Sequence, residues 1–400
     1  MNVRTRTALA ASLVLALAAG PLAASPAFAN SASTASTSGT GADAGADVYG
    51  SPDAEALGAA IAGLPDADAT AALVRVGGTG GSWHGSSGVA AVDSGRKALE
   101  RGRFRAGSTT KVFTAAVVHQ LAAERRIDLD AHIQDYLPGL LPGIPDITVR
   151  QLLNHTSGLQ EAHADDQSFE EAYERRFDTV TPRQLVAASA AKGVEFAPGT
   201  EQHYVGVNYT LLGLLIEKAT GGSYEQQVSQ RILRPLGLRD TYFPGADPSI
   251  RGAHNRGYQA VERSDGTEEL RDVTEWNVTD VWATGDLIST TADLERFLGA
   301  LLRGRVVPGA QLKEMFAMPA DITLPSGPDT IAYSAGLTRF TLSDLSVGWG
   351  KTGGLYGYNT MIVASPGLSR TLVYSVNATD ARGRGMNKVA GRVVAAAFAR

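Results

Sequence analysis

Two short runs in this sequence carry residue types able to do covalent chemistry. Ser108-Thr109-Thr110-Lys111 places a hydroxyl and an amine three positions apart. On a helix such positions share a face, so the Lys111 amine reaches the Ser108 hydroxyl within one turn. A serine becomes a nucleophile only when a partner takes its proton, and here that partner is an amine instead of an imidazole. Lysine can play the part only if burial or nearby positive charge lowers its pKa far below its solution value of about 10.4. Ser-x-x-Lys alone is frequent on ordinary surface helices, so its surroundings carry the weight. Gly107 permits close backbone approach. Val112, Phe113, Ala116, Val117 and Leu121 recur at spacings of three and four, which predicts a helix with one buried face. Ser108 then falls in its N-terminal turn, where free N–H groups favour developing negative charge.

The second run is Lys351-Thr352-Gly353-Gly354, set between apolar stretches. On a strand at a cleft edge it supplies a cation, a hydroxyl and, through the glycines, exposed N–H groups for an anionic or amide substrate. The same residues also read as a turn between two strands with an incidental lysine.

Other elements must hold these runs in place. Residues 54–64 repeat Ala, Leu and Ile at helical spacing. Apolar runs at 71–76 and 88–92, separated by Gly-rich turns with Trp83 between them, predict a small antiparallel strand set. The stretch 127–302 is helical and loop-rich, broken at 138–145, 198–200 and 235–237 by Pro and Gly. Beyond Tyr333, runs at 335–341, 346–349, 358–364 and 370–376 predict a meander, closed by an amphipathic helix over 386–400. Strands at both chain ends with helices between them predict an α/β fold: one antiparallel sheet flanked by helices, with a mostly helical region inserted.

At the N-terminus, Arg4 and Arg6 precede an apolar stretch over 8–19 and then Ala27-Phe28-Ala29, the layout of a secretory signal cut before Asn30. The apolar stretch is shorter than the roughly 20 residues of a spanning helix, so export and release are expected. Residues 30–53 are Ser, Thr, Ala and Gly with almost nothing large to bury, which predicts a flexible linker. The expected organisation is therefore a signal peptide at 1–29, a linker at 30–53 and one domain at 54–400. The absence of Cys leaves stability to packing, for which 400 residues with 44% hydrophobic content suffice. Neither a metal nor a cofactor is expected. A net charge of -5, from 36 basic and 41 acidic residues that are scattered along the chain, offers no field for nucleic acid.

Taken in order, Ser-x-x-Lys, a mid-chain tyrosine and Lys-Thr-Gly resemble the signature of penicillin-binding proteins and serine β-lactamases. Four blocks are similar to the branch holding class C β-lactamases and secreted D-alanyl-D-alanine carboxypeptidases: 104–113 (FRAGSTTKVF), 149–159 (VRQLLNHTSGL), 198–213 (PGTEQHYVGVNYTLLG) and 284–297 (TGDLISTTADLERF). Class A β-lactamases fit less well, because no Ser-Asp-Asn is present. The resemblance covers 54–400 and implies a β-lactamase/transpeptidase-like fold. It implies that Ser108 is acylated, that Lys111 assists its deprotonation, and that Tyr204 shuttles a proton to the leaving group. It further implies an oxyanion site between the N–H groups of Ser108 and Gly354, with Lys351, Thr352 and Gly353 on the substrate side. His155, in a turn-forming Asn-His-Thr-Ser-Gly cluster, is expected to brace a loop and not to move protons.

One position departs from the family. Its middle motif usually reads Tyr-x-Asn, whereas Tyr204-Val205-Gly206 puts glycine where the amide belongs. That removes a donor and an acceptor from the substrate-binding side of the cleft, and Asn208 is set two positions away from restoring them. The resemblance implies a secreted hydrolase working through a Ser108 ester on D-alanyl peptides, with β-lactams as mimics. A β-lactamase or esterase on the same scaffold is the alternative. Gly206 alone supports a noncatalytic peptidoglycan- or penicillin-binding module.

Overall fold

A computed structural model describes residues 49–399 apart from 163–167, 321, 323, 325–330, 343, 345 and 384. The expected signal peptide and most of the expected linker lie outside the described residues. Among the described residues, packing is already present at Tyr49, within the stretch expected as linker. Tyr49 is buried, its ring meets Phe398 edge-on at 5.6 Å, and its hydroxyl bonds Asp344 and Ser346, each at 3.0 Å.

The strands in chain order are β1 (Ala69–Gly77), β2 (Trp83–Gly88), β3 (Phe104–Arg105), β4 (Tyr258–Glu262), β5 (Glu268–Asp272), β6 (Ile288–Ser289), β7 (Ile331–Tyr333), β8 (Thr338–Thr341), β9 (Val347–Leu355), β10 (Tyr358–Ala364) and β11 (Thr371–Ala378). Seven form one sheet in the order β2-β1-β11-β10-β9-β8-β7, every neighbouring pair antiparallel. Strands from early and late in the chain thus meet inside the sheet, one strand in from its β2 edge, where Ala71 to Gly77 pair with Asn377 to Thr371. β1 and β11 are buried along almost their whole length, because helices cover both faces. On one face lie α1 (Ala54–Ala60) and the Lys388–Ala397 helix, packed with Tyr49 into one core. On the other lie α2 (Thr110–Ala123), the Thr291–Leu302 helix and the inserted middle region, which share the larger core.

Several elements differ from the sequence expectation. The strand beside β1 is the polar run at Trp83–Gly88, not 88–92, since an edge strand beside solvent needs no apolar row. α2 is buried nearly all round rather than on one face, because the Val207–Thr220 helix of the inserted region packs on the side away from the sheet. The Lys-Thr-Gly-Gly run is strand and not turn: β9 continues through Leu355, and the reversal into β10 falls on Tyr356-Gly357, with Gly357 at φ +77°. Among the described residues, no helix is long and apolar enough to cross a membrane.

Candidate active site

The nucleophile turn is built from backbone. After β3, Gly107 at φ +53° carries the chain into the short Gly107–Thr109 turn and then α2. Conformation and space both require glycine there, since a Cβ on Gly107 would stand 2.7 Å from the Gly354 nitrogen of β9. Gly353 is its counterpart: a Cβ there would collide with the Ala106 carbonyl oxygen and lie 3.0 Å from the Ser108 nitrogen. Hydroxyls lock the turn, with Thr109 donating to the Ala106 carbonyl at 2.9 Å, Thr110 to Gly107 at 2.7 Å, and Thr360 of β10 to Ala106 at 2.8 Å. The N–H groups of Ser108 and Gly354 therefore sit on closely apposed backbones, the arrangement that an oxyanion site needs. β8 pairs with β9 only as far as Gly350, so residues 351–355 form a sheet edge beside the turn.

Lys111 is buried, with its Nζ 3.4 Å from the Ser108 Oγ and 2.9 Å from the Thr284 carbonyl, to which it donates. Burial brings its pKa down to about 7, against the opposing pull of Glu161 and Asp286. Asp286, which the sequence did not single out, is itself driven well above the usual carboxylate range by burial. Near neutrality Lys111 thus has the basicity that a general base for Ser108 requires.

Tyr204 stands between the two lysines. The Lys111 and Lys351 ammonium groups lie 4.9 and 4.7 Å from its ring centroid. Its hydroxyl is buried and, among the described residues, meets no hydrogen-bond partner of good geometry. Lys351 is also buried; desolvation lowers its pKa, the Tyr204 phenol opposes this, and Lys111 adds to it. Tyr333 of β7 completes the cluster, 5.1 Å from the Tyr204 ring and 5.7 Å from the Lys351 Nζ.

The position that departs from the family has a structural answer. Gly206 has ordinary helical angles (φ -67°, ψ -41°), so its conformation does not call for glycine. Space does. The Glu161 carboxylate occupies the place where a side chain would project: a Cβ on Gly206 would stand 3.1 Å from Glu161 Oε2. That oxygen accepts the Gly206 N–H at 2.5 Å, and Oε1 accepts the Ala162 N–H at 3.0 Å. Asn208 does not replace the missing amide. It is fully buried, accepting from Ser157 Oγ at 2.6 Å and placing its amide nitrogen 3.2 Å from His155 Nδ1.

A cavity of about 360 Å³ opens onto these groups. Ser108, Lys111, Tyr204, Gly206, Glu161 and Gly354 line it, and an apolar flank comes from Trp276, Val281, Leu355 and Tyr356. Lys351, Thr352 and Gly353 are not on its wall: Lys351 lies beside Tyr204, Thr352 is half-buried, and the role of Gly353 is to let β9 approach the nucleophile turn. The structure brings together Ser108, Lys111, Tyr204 and Gly354, which the sequence singled out, and Glu161, which it did not. Its one signal was indirect, a glycine where the family keeps an amide.

A helix-flanked antiparallel sheet with Ser-x-x-Lys facing a Lys-Thr-Gly edge strand defines a serine hydrolase of the penicillin-recognising class. The β-lactamase family model matches residues 55–396, and the chain belongs to that family. Among solved structures it is similar to a D-stereospecific amidohydrolase from a Streptomyces species, with TM-score 0.75 and 33% identity over 87% of this chain and 99% of that one. It is also similar to the D-amino acid amidase of Ochrobactrum anthropi SV3 complexed with D-phenylalanine, with TM-score 0.69 and 26% identity over 86% and 98%. Among curated proteins it matches penicillin-binding protein 4* of Bacillus subtilis, 26% identical over 74% of this chain and 65% of the relative. It matches esterase EstB of Burkholderia gladioli at 30% identity over 46% and 50%. These curated matches span half to two thirds of the relatives' own length.

Proposed function

We propose that this protein is an exported hydrolase of D-amino acid amides and related small esters or peptides that carry a free α-amino group. The carboxylate of Glu161 on the acyl side of Ser108 is the observation that carries this reading. An amide at position 206 would suit a neutral acylamido group, as in the D-alanyl peptides first expected; an anionic acceptor suits an ammonium. The likeness to a D-stereospecific amidohydrolase and a D-amino acid amidase supports the D configuration. The apolar flank of Trp276, Val281, Leu355 and Tyr356 suits an aromatic or branched side chain. Export rests on the Arg4, Arg6 and Ala27-Phe28-Ala29 layout and is tested by the N-terminal residue of protein recovered outside the producing cell, expected to be Asn30.

In this mechanism neutral Lys111 takes the Ser108 proton as Oγ attacks the substrate carbonyl, and the oxyanion forms against the Ser108 and Gly354 N–H groups. Tyr204 delivers a proton to the departing nitrogen, so the C–N bond breaks with release of ammonia or an amine. Water, deprotonated through the same tyrosine and lysines, then cleaves the Ser108 ester and restores the serine. Because the base must be unprotonated, acylation slows as pH falls below about 7.

Steady-state kinetics on D-phenylalaninamide, its L isomer, N-acetyl-D-phenylalaninamide and a D-Ala-D-Ala peptide test the reading. Turnover is expected to favour the free-amino D-amide, and Glu161→Gln should raise its KM by roughly 10- to 100-fold, the scale of one charge-assisted hydrogen bond. Equal turnover of the free and N-acetylated amides, or indifference to Glu161→Gln, would remove the ammonium from the substrate. Faster cleavage of the D-Ala-D-Ala peptide would restore the carboxypeptidase reading.

A further inference from the structure

His155 touches the chain on both sides of Tyr204. Its carbonyl accepts the His203 N–H at 3.0 Å, and its Nδ1 accepts the Val205 N–H at 3.4 Å. Its ring lies 4.5 Å from the Tyr204 ring and is also in contact with Tyr209 at 5.3 Å and Tyr333 at 5.2 Å. A second donor fixes the tautomer. Asn208 spends its oxygen on the Ser157 hydroxyl and so presents its NH2 to His155 Nδ1 at 3.2 Å, which leaves the ring proton on Nε2. Burial, with Lys111 and Lys351 nearby, keeps the imidazole neutral, so Nδ1 remains an acceptor. The backbone of His155 itself is left-handed, at φ +60°, a conformation that ordinary side chains seldom adopt and that turns carbonyl and ring toward the same segment. Gln202 holds the segment from its other end, bonding the Asn154 carbonyl at 2.7 Å and both the carbonyl and the N–H of Tyr333, at 2.8 and 3.1 Å.

We infer that His155 is a positioning residue for Tyr204, gripping the backbone on either side of it so that the phenol, set between Lys111 and Lys351, is aimed at the reacting atoms. The inference rests on the proton-transfer role proposed above for Tyr204. His155 neither receives nor gives a proton in the reaction. What it contributes is an acceptor at one point in space, and this makes the role separable from general packing.

Two variants separate them. His155→Gly accepts φ +60° without strain but has no acceptor for Val205. His155→Asn also tolerates that conformation, and its Oδ1 sits, like Nδ1, two bonds beyond Cβ, so the Val205 bond is kept while the ring is lost. The readouts are the rate of Ser108 labelling by a fluorophosphonate and steady-state kinetics on D-phenylalaninamide. His155→Gly is expected to lower kcat by roughly 10- to 100-fold, a loss in the range of a displaced proton-transfer group, with KM and the labelling rate, whose fluoride leaving group needs no proton from Tyr204, each changed by less than about threefold. His155→Asn is expected to recover to within about threefold of the parent. A parental kcat in His155→Gly, a kcat in His155→Asn as low as in His155→Gly, or a labelling rate that falls as far as kcat, would overturn the inference. Should His155→Gly not fold, His155→Asn decides alone, a kcat under about a tenth of the parental value in protein with unchanged circular dichroism counting against it. A parent that is not labelled at Ser108 defeats the proposed function and takes this inference with it, whereas a labelled parent with indifferent variants defeats the inference only.

Discussion

The two walls of the cleft are held by different means. On the wall of β9 and the nucleophile turn, position is set by main chain against main chain: Gly107 and Gly353 let two backbones approach to where no Cβ fits, and threonine hydroxyls tie the turn to its own carbonyls. On the facing wall, position is set by side chains reaching to distant backbone, as His155 does to Val205, Gln202 to Tyr333 and Glu161 to Gly206. The first wall carries the steps shared by every acyl transfer at a serine and tolerates no change of shape. On the function proposed above, the second decides which acyl group is admitted. Beside Gly206, where the resemblance implies an amide, it carries the Glu161 carboxylate from another loop.

If the walls differ in this way, the largest loss should come from the backbone wall. Gly353→Ala forces β9 away from Ala106 and spoils the paired N–H groups, so Ser108 labelling by a fluorophosphonate should fall by about 100- to 1,000-fold with every substrate affected alike. Labelling at the parental rate would show that the close approach is not needed. A smaller and selective effect is expected on the other wall. Gly206→Asn crowds Glu161 and competes for its carboxylate, so KM for D-phenylalaninamide should rise roughly tenfold while Ser108 labelling stays within about twofold. A matching rise for the N-acetylated amide would mean that the variant disturbs the nucleophile and not the recognition. The smallest effect concerns the scaffold behind both walls. His119 on α2 is buried with Nε2 2.8 Å from the Ala335 carbonyl, and burial pushes its pKa down to about 4. The unfolded chain binds this proton near pH 6.5, so His119 costs nothing above that pH and withdraws up to about 3 kcal/mol of stability as pH falls toward 4. Melting temperature measured between pH 7 and 4 should therefore fall less steeply in His119→Gln than in the parent, and parallel slopes would clear His119 of the effect.

The same contrast explains what could be read from the sequence. The backbone wall was legible, because glycine, serine, lysine and threonine at fixed local spacing state both the chemistry and the close approach. The sheet drawn from both chain ends was legible too, from apolar runs at either terminus. Polar Trp83–Gly88 was not, since an edge strand needs no apolar alternation to be held by β1. Nor was the extent of β9, whose glycines read equally well as a turn until the absence of β8 beyond Gly350 shows why they remain extended beside the cleft. Glu161 stayed hidden because it meets Gly206 across 45 residues, and nothing in either neighbourhood announces the other. The grip of His155 on Val205 spans 50 residues and was visible only as a brace of unknown target.

The pairing of β1 with β11 has a consequence for how the molecule is made. Their contacts join residues about three hundred positions apart, and β1 stands between the edge strand β2 and β11, which links it to the rest of the sheet. A chain emerging N-terminus first cannot complete that sheet until Thr371–Ala378 has appeared. Until then β1 and β2 form a hairpin with one open edge, too small to be stable alone. Contacts of such long range make folding slow and late, a delay that suits the export proposed above.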